Sequence, residues 1–263
     1  MMKQTVLITG ASGGIGRECA KVFAAHRFQL VLTARRTKSL MRLKRVLEYQ
    51  YDIKVTVLPL DLAQQDAALS LWKKTNELGI QVTILVNNAG FGDNGSFVRS
   101  DLTKQSNMVA VNVNALMQLT YLYGNDMRRY KYGRILNLSS AVSFSAGPKM
   151  AVYYASKAFV LSFSQAVAEE LKGSGVTVTV LCPGPVLTGF ETAAGMHGPR
   201  MYWLLRPVSP RKVAEVGCRA CMQGKAVKYY GLTTKSLNIA ARVLPRCITR
   251  NVARMINSTF CKG

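Results

Sequence analysis

The chain has 263 residues, 49% hydrophobic and 18% charged, a balance that excludes a disordered polypeptide and allows one sizeable core. Its formal charge of +22 is uneven: from Pro199 to Gly263 thirteen Lys and Arg stand against the single acid Glu215, a field that draws anionic partners without choosing among them. No apolar run approaches the ~20 residues of a membrane-crossing helix, and with no secretory signal before the first strand the six cysteines are expected to stay reduced in the cytoplasm.

In chain order, β-branched runs at Gln4–Thr9, Phe28–Thr33, Ile53–Leu58, Val82–Asn87, Arg134–Ser139, Val176–Cys182 and Ala226–Tyr230 alternate with helical stretches. Nearly continuous apolar strands separated by helices imply a parallel sheet covered on both faces. The expected fold class is therefore α/β, a Rossmann-type doubly wound parallel sheet of about seven strands. Residues 1–230 make up this domain, within which 184–208, rich in Gly, Pro, Met and aromatic residues, reads as a mobile flap. Residues 231–263 form a basic amphipathic segment.

After the first strand, Thr9-Gly10-Ala11-Ser12-Gly13-Gly14-Ile15-Gly16 opens a helix. A strand running through a glycine-rich turn into a helix lets the backbone come close to a pyrophosphate, with the helix N–H groups facing its charge. Where the second strand ends, the acid that would hold a ribose 2′-hydroxyl is replaced by Ala34-Arg35-Arg36. Guanidinium groups meet phosphate oxygens bidentately, so NADP(H) is the expected coenzyme and NAD(H) the second choice. Arg35 stands nearer the strand and is preferred over Arg36. The plain alternative is that both arginines only face water.

Tyr153 and Lys157 lie four apart on a predicted helix and so share a face. A free phenol, with a pKa near ~10, is a poor base at neutral pH, but a neighbouring ammonium favours the phenolate. That pairing suits general acid–base chemistry.

Together these motifs resemble the short-chain dehydrogenase/reductase family over nearly the whole chain, from Thr5 to Tyr230. The likeness rests on the glycine turn, Asn87-Asn88-Ala89-Gly90 after the fourth strand, Asn112, Ser140 after the fifth strand, Tyr153-x-x-x-Lys157, and Pro183-Gly184 after the sixth. It implies hydride transfer between a nicotinamide and the ketone or secondary alcohol of a small molecule. Asn112, Ser140, Tyr153 and Lys157 would be catalytic: Tyr153 donating the proton, Ser140 steadying the reacting oxygen, Lys157 also holding the ribose, Asn112 keeping a helix kink and a relay water. The coenzyme would be held by Gly10, Ser12, Gly13, Gly14, Ile15, Gly16, Arg35 and Arg36. Asp61 and Leu62 would meet its adenine, Asn88, Ala89 and Gly90 would brace the sheet beside it, and Pro183, Gly184, Val186 and Thr188 would border its carboxamide end. The resemblance further suggests a homodimer or homotetramer joined through the helices around Asn112 and Tyr153.

Ser140, Val142, Phe144, Met150 and Phe190 are the expected substrate contacts, with Phe91 nearby and Met196, Met201, Tyr202 and Trp203 in the flap. Such a lining suits a hydrophobic ketoacyl, steroid or aromatic substrate. No metal is expected: Cys218-x-x-Cys221 lacks a second pair at zinc spacing, and helix packing explains it. His26 reads as solvated, and His197 lies in the flap. Two rival classes are a catalytically silent NADP-binding sensor or scaffold, against which the complete Ser140, Tyr153, Lys157 and Asn112 set argues, and a nucleic-acid binder, for which the charge offers no reading module.

In the tail, Arg242, Arg246, Arg250 and Arg254 recur every fourth residue beside Leu237, Ala240, Leu244, Ile248, Val252, Met255 and Ile256, with Pro245 interrupting. Three roles stay open: a packed terminal helix with a solvated basic face, peripheral contact with an anionic membrane, or a cover for a neighbouring subunit.

Overall fold

Seven strands, β1 (Thr5–Thr9), β2 (Gln29–Thr33), β3 (Val55–Val57), β4 (Val82–Asn87), β5 (Gly133–Leu138), β6 (Val176–Pro183) and β7 (Val227–Tyr230), form one parallel sheet in the order β3-β2-β1-β4-β5-β6-β7. The computed structural model describes residues 4–190, 194–195 and 207–258. Each β-branched run of the sequence is a strand, although the third shortens to three residues at the sheet edge, where β2 is its one ladder partner.

The helices are α1 (Gly14–Ala25), α2 (Thr37–Tyr51), α3 (Ala67–Glu77), α4 (Leu102–Val109), α5 (Leu116–Arg129), α6 (Ala151–Glu170), α7 (Pro210–Met222), α8 (Leu232–Val243) and α9 (Arg246–Ser258). Strand side chains alternate between faces. Val6, Ile8, Leu30, Leu32, Ile84 and Val86 turn toward α1, α2 and α7, whereas Leu7, Val31, Leu85 and Ile135 turn toward α3, α5 and α6. Each buried Leu, Ile or Val contributes about 1.5–3 kcal/mol, so two such layers hold the sheet between the helices. Cys19 on α1 and Cys218 and Cys221 on α7 lie in the first layer as small apolar side chains. Burial pushes the Cys221 thiol up to about 12, and a hydrogen bond with Cys19, then burial, raises Cys218. Thiols raised this far are inert. Helix packing, as the sequence suggests, accounts for the C-x-x-C pair.

A buried polar chain fixes the centre of the sheet to the second helix layer. Asn87 Nδ2 donates to Thr120 Oγ1 (3.1 Å) and Asn137 Oδ1 (3.0 Å), and Asn137 Nδ2 donates to Ser164 Oγ (2.9 Å). Asn87 is the last residue of β4 and Asn137 the last but one of β5, so the chain sets the height at which the loops leaving these strands begin. Pro245 separates α8 from α9, its carbonyl accepting from the amides of Ile248 and Thr249.

Candidate active site

The sheet order reverses between β1 and β4, and the loops leaving their carboxyl ends open a crevice of the kind that binds ligands in such sheets. Thr9 is the pivot. Its Oγ1 accepts from the amides of Asn88 and Ala89, both at 2.9 Å, and donates to Val86 O at 3.3 Å. Asn88 Nδ2 in turn donates to the carbonyls of Thr9 (3.0 Å) and Gly10 (3.2 Å), so the β4 loop clamps the glycine turn. A Cβ on Gly16 would stand 2.4 Å from Asn88 Nδ2 and 2.5 Å from Gly10 O, and Gly10 has φ +65°. Only glycine lets the turn and the clamp share this space. Gly13, in extended backbone, caps α1 without a side-chain hydrogen bond, and the first turn carries no acid. The backbone cradle therefore fits a phosphate group by its donors and its dipole.

The two arginines take different positions. Arg36 folds over the turn, its Nε and Nη2 donating to Ser12 Oγ at 3.3 and 3.2 Å. Arg35 points to Asp61, with 3.9 Å between Nη1 and Oδ2. Asp61 also accepts from the Ala63 amide at 3.0 Å, and Leu62 beside it is buried. Thr188 lies against the same turn: a Cβ on Gly14 would meet its methyl at 3.2 Å. Ile15 packs on the core, Val186 bridges to Val208, and the Gly184 amide donates to Tyr230 O.

At the carboxyl ends of β4 and β5 stand the groups for proton transfer. Lys157 Nζ donates to Leu138 O at 2.9 Å and lies 5.9 Å from the centre of the Tyr153 ring. A Cβ on Gly90 would approach that ammonium to 3.4 Å, which sets the β4 loop, the β5 loop and α6 around one cation. Burial pushes Lys157 down to about 8, with Cys182 acting the other way. Asn112 sits in a π-helical turn, Ala110–Ala115, between α4 and α5, so the resemblance's kink is present as a change of helix pitch. Its side chain is consumed locally: Oδ1 accepts from the Phe91 amide (3.1 Å), and Nδ2 donates to Phe91 O (2.9 Å) and Ser156 Oγ (3.1 Å). Ser140 caps the short turn after β5, its Oγ accepting from the Val142 amide at 3.4 Å.

On the substrate side, Met150, Tyr153, Val142, Phe91 and Phe190 form one cluster, and the Phe190 ring centre is 5.1 Å from that of Tyr153. Phe144 is not brought to it. The 3₁₀ turn over Ala141–Phe144 rotates that side chain toward Tyr229, 5.6 Å between ring centres, in a separate cluster with Val160 and Val180. Met196, His197, Met201, Tyr202 and Trp203 lie outside the described residues. Three contributors escaped the sequence reading of the site: Thr9, known there only as the start of a motif; Ser139, whose Oγ donates to Lys157 O at 2.8 Å; and Asn257 of α9, which closes the outer end of the cluster. Among the described residues no group of three His, Cys, Asp or Glu side chains converges on a metal-sized point.

The chain belongs to the short chain dehydrogenase family, whose profile matches residues 4–197. It is an oxidoreductase of that family, a class acting on CH–OH groups with a nicotinamide coenzyme. Among curated relatives it is 34% identical over 178 residues to the nodulation protein G of Rhizobium sp. (strain N33), covering 68% of this chain and 71% of that one. It is 30% identical over 207 residues to the ketoacyl reductase HetN of Nostoc sp., covering 78% and 72%. A solved short-chain dehydrogenase from Sphingobium yanoikuyae in complex with NADPH superimposes with a TM-score of 0.82 at 29% identity, over 92% of this chain and 94% of that one.

Proposed function

We propose that this protein interconverts a ketone and a secondary alcohol on a hydrophobic substrate of ketoacyl, steroid or aromatic type, with NADP(H) as coenzyme and Tyr153 as the proton donor for reduction. The observation that carries the reading is the placement of Lys157 Nζ 5.9 Å from the Tyr153 ring, at the strand ends beside the glycine turn. The NADPH complex of the Sphingobium relative and the ketoacyl reductase activity for which HetN is named support the coenzyme and the carbonyl chemistry.

When bound, the coenzyme supplies the hydride. The chain's residues do the rest. The turn from Gly10 to Gly16 would hold the pyrophosphate and Arg35 and Arg36 would take a 2′-phosphate, with Ser12, Asp61, Leu62, Asn88, Ala89, Gly90, Pro183, Gly184, Val186 and Thr188 completing the cradle. The Lys157 ammonium favours the Tyr153 phenolate, so the phenol releases its proton to a developing alkoxide more readily than an isolated tyrosine does. Ser140 Oγ steadies the same oxygen. Asn112 holds the β4 loop to α6 through Phe91 and Ser156 and keeps both proton-transfer groups in register. Val142, Met150 and Phe190 exclude water from the reacting carbon. The same reading places the enzyme in the cytoplasm as a homodimer or homotetramer, with peripheral membrane contact through the basic segment 231–263.

The test is NADPH oxidation with a panel of ketoacyl thioesters, keto-steroids and aryl ketones. Tyr153→Phe is expected to lower turnover by at least about a hundredfold while NADPH still binds. Wild-type turnover in that variant would overturn the mechanism, and NADPH binding without turnover of any ketone by the wild type would favour a silent sensor.

A further inference from the structure

We infer that the buried hydroxyls of Ser139 and Ser143 are positioning residues for proton transfer, pinning the helix that bears Tyr153 and Lys157 to the strand end that bears Ser140. The inference rests on the reading of those three as the proton-transfer groups. Ser139, Ser143 and Lys157 are all buried. Ser139 Oγ donates to Lys157 O at 2.8 Å and lies 2.6 Å from Ser143 Oγ, and Ser143 Oγ donates to Ser140 O at 2.5 Å. Two hydroxyls thus form an unbroken chain from the carbonyl of Lys157 to the carbonyl of Ser140.

Counting protons gives the two hydroxyls unequal parts. Each carries one proton, so two protons serve three contacts. Ser140 O also accepts from the Ser143 amide at 3.2 Å, so it stays held when the Ser143 hydroxyl turns toward Ser139. Of the pair, Ser139 is the one that reaches α6, and Ser143 acts on that helix through it. Ser140 Oγ meanwhile accepts from the Val142 amide at 3.4 Å, which leaves its own proton for the reacting oxygen.

Lys157 is gripped at both ends, its Nζ on Leu138 O at 2.9 Å and its carbonyl on Ser139. Cys182 of β6 stands on a third side. Burial pushes its thiol up to about 12, a hydrogen bond with Ser139 opposing, so it is a neutral neighbour and not a charge. An alanine at 139 or 143 would bury no polar group, whereas a hydroxyl there gives up its hydration. What the hydroxyls add is a fixed spacing. Tyr153 and Lys157 ride together on α6, so a shift of that helix against β5 changes their distance from Ser140 while the glycine turn after β1 keeps its place. Misplacement by about 1 Å costs on the order of a hundredfold in rate, and the loss of one pin among several costs less.

Ketone turnover with NADPH, coenzyme titration and thermal melting of the full chain test this. Ser139→Ala is expected to lower kcat by about tenfold, with KM for the ketone and the NADPH dissociation constant within about threefold of wild type. Ser143→Ala is expected to lower kcat a few-fold, and the double variant by less than the product of the two, because the hydroxyls bond each other. Ser164→Ala is the control. Its hydroxyl also joins α6 to β5, accepting from Asn137 Nδ2 at 2.9 Å, but about 10 Å further along the helix. That variant is expected to melt a few degrees lower, as Ser139→Ala does, while kcat stays within about twofold of wild type. Unchanged kcat in Ser139→Ala would overturn the inference. So would an equal fall in Ser164→Ala, which would mean that any loosening of α6 suffices, or losses in the two serine variants that simply multiply. A wild type that reduces no ketone, or a Tyr153→Phe protein as active as the wild type, would remove the proton-transfer reading and the inference with it. An active wild type beside an unaffected Ser139→Ala removes the inference alone.

Discussion

Tyr154 donates its hydroxyl to Oδ1 of Asn257 across 3.2 Å, tying the helix that bears Tyr153 and Lys157 to the last helix of the chain, 103 residues on. Neighbouring tyrosines thus serve different ends. Tyr153 faces Lys157 and Phe190, while Tyr154, equally buried, turns to α9 and holds it. Burial raises the proton affinity of Tyr154, so it stays a phenol and a donor, the Asn257 contact opposing that shift only in part. Asn257 also bonds Pro148 O and accepts at its own carbonyl from Asn94 Nδ2 at 3.3 Å, which fastens the loops before α4 and α6 to the same point.

Asn257→Ala leaves the Tyr154 hydroxyl and Pro148 O without those partners, and urea unfolding is expected to show a loss of about 2 kcal/mol. A double-mutant cycle with Tyr154→Phe is expected to return a coupling of about 1 kcal/mol. Additive losses would mean that the two side chains do not support each other. Because Met150 and Phe190 share the cluster that α9 covers, the Asn257 variant is also expected to raise KM for a hydrophobic ketone more than it lowers kcat.

Coenzyme choice should follow the two guanidiniums together. Arg36 already lies on Ser12 of the glycine turn and Arg35 lies near Asp61, so a 2′-phosphate entering between them would meet both. Charge-assisted hydrogen bonds contribute about 1.5–3 kcal/mol each. Arg35→Ala/Arg36→Ala is therefore expected to weaken NADPH by at least about tenfold while NADH changes little. Fluorescence titration with both coenzymes decides it, and equal losses would remove the 2′-phosphate from the account.

The sheet and the two ends of the site were legible in the sequence because their signals are local. Seven β-branched runs, a glycine turn between strand and helix, and a Tyr and Lys one turn apart each need only a few neighbouring residues. What the sequence hides depends on backbone rotation or on distance. Phe144 follows Val142 by two residues, yet a 3₁₀ turn sends it to Tyr229 instead of the substrate cluster. Nearness to the strand favours Arg35 in the sequence, but only the structure gives the directions of the two side chains, Arg36 over Ser12 and Arg35 toward Asp61. Asn257 follows Met255 and Ile256 near the end of a basic tail, and nothing within α9 announces a partner on α6. Of the three roles left open for that tail, packing against the body is the one its buried Ala253 and Asn257 display.

Gly16 tests the clamp between the β1 and β4 loops. A Cβ there meets Asn88 Nδ2 at 2.4 Å and the Gly10 carbonyl at 2.5 Å, one of them backbone, so Gly16→Ala has to displace the turn itself. Overpacking of this kind costs about 1–3 kcal/mol. NADPH affinity is expected to fall by at least tenfold, by roughly the same energy, with a lower melting temperature. Asn88→Ala in the same background opens the space and is expected to restore part of the stability; no restoration would show that the Gly10 carbonyl, not the amide, sets the limit.

Lys157 gives the coenzyme-free protein a pH signature whose sign follows from its burial. Its ammonium is held down to about 8 in the folded chain against an ordinary 10.5. Between those values the unfolded chain binds more protons than the folded one, so stability rises with pH across that window. Below about pH 8 the full penalty of a buried ammonium is present, and above 10.5 it has gone. The wild type is therefore expected to gain up to about 3 kcal/mol from this group over the window, relative to Lys157→Met, in which the gain is absent. Urea unfolding of both proteins from pH 7 to pH 10.5, without NADPH, measures the difference. Parallel curves would mean that the ammonium is solvated in the folded protein, and the Tyr153 phenolate would then lose the low-dielectric cation on which the proposed proton transfer depends.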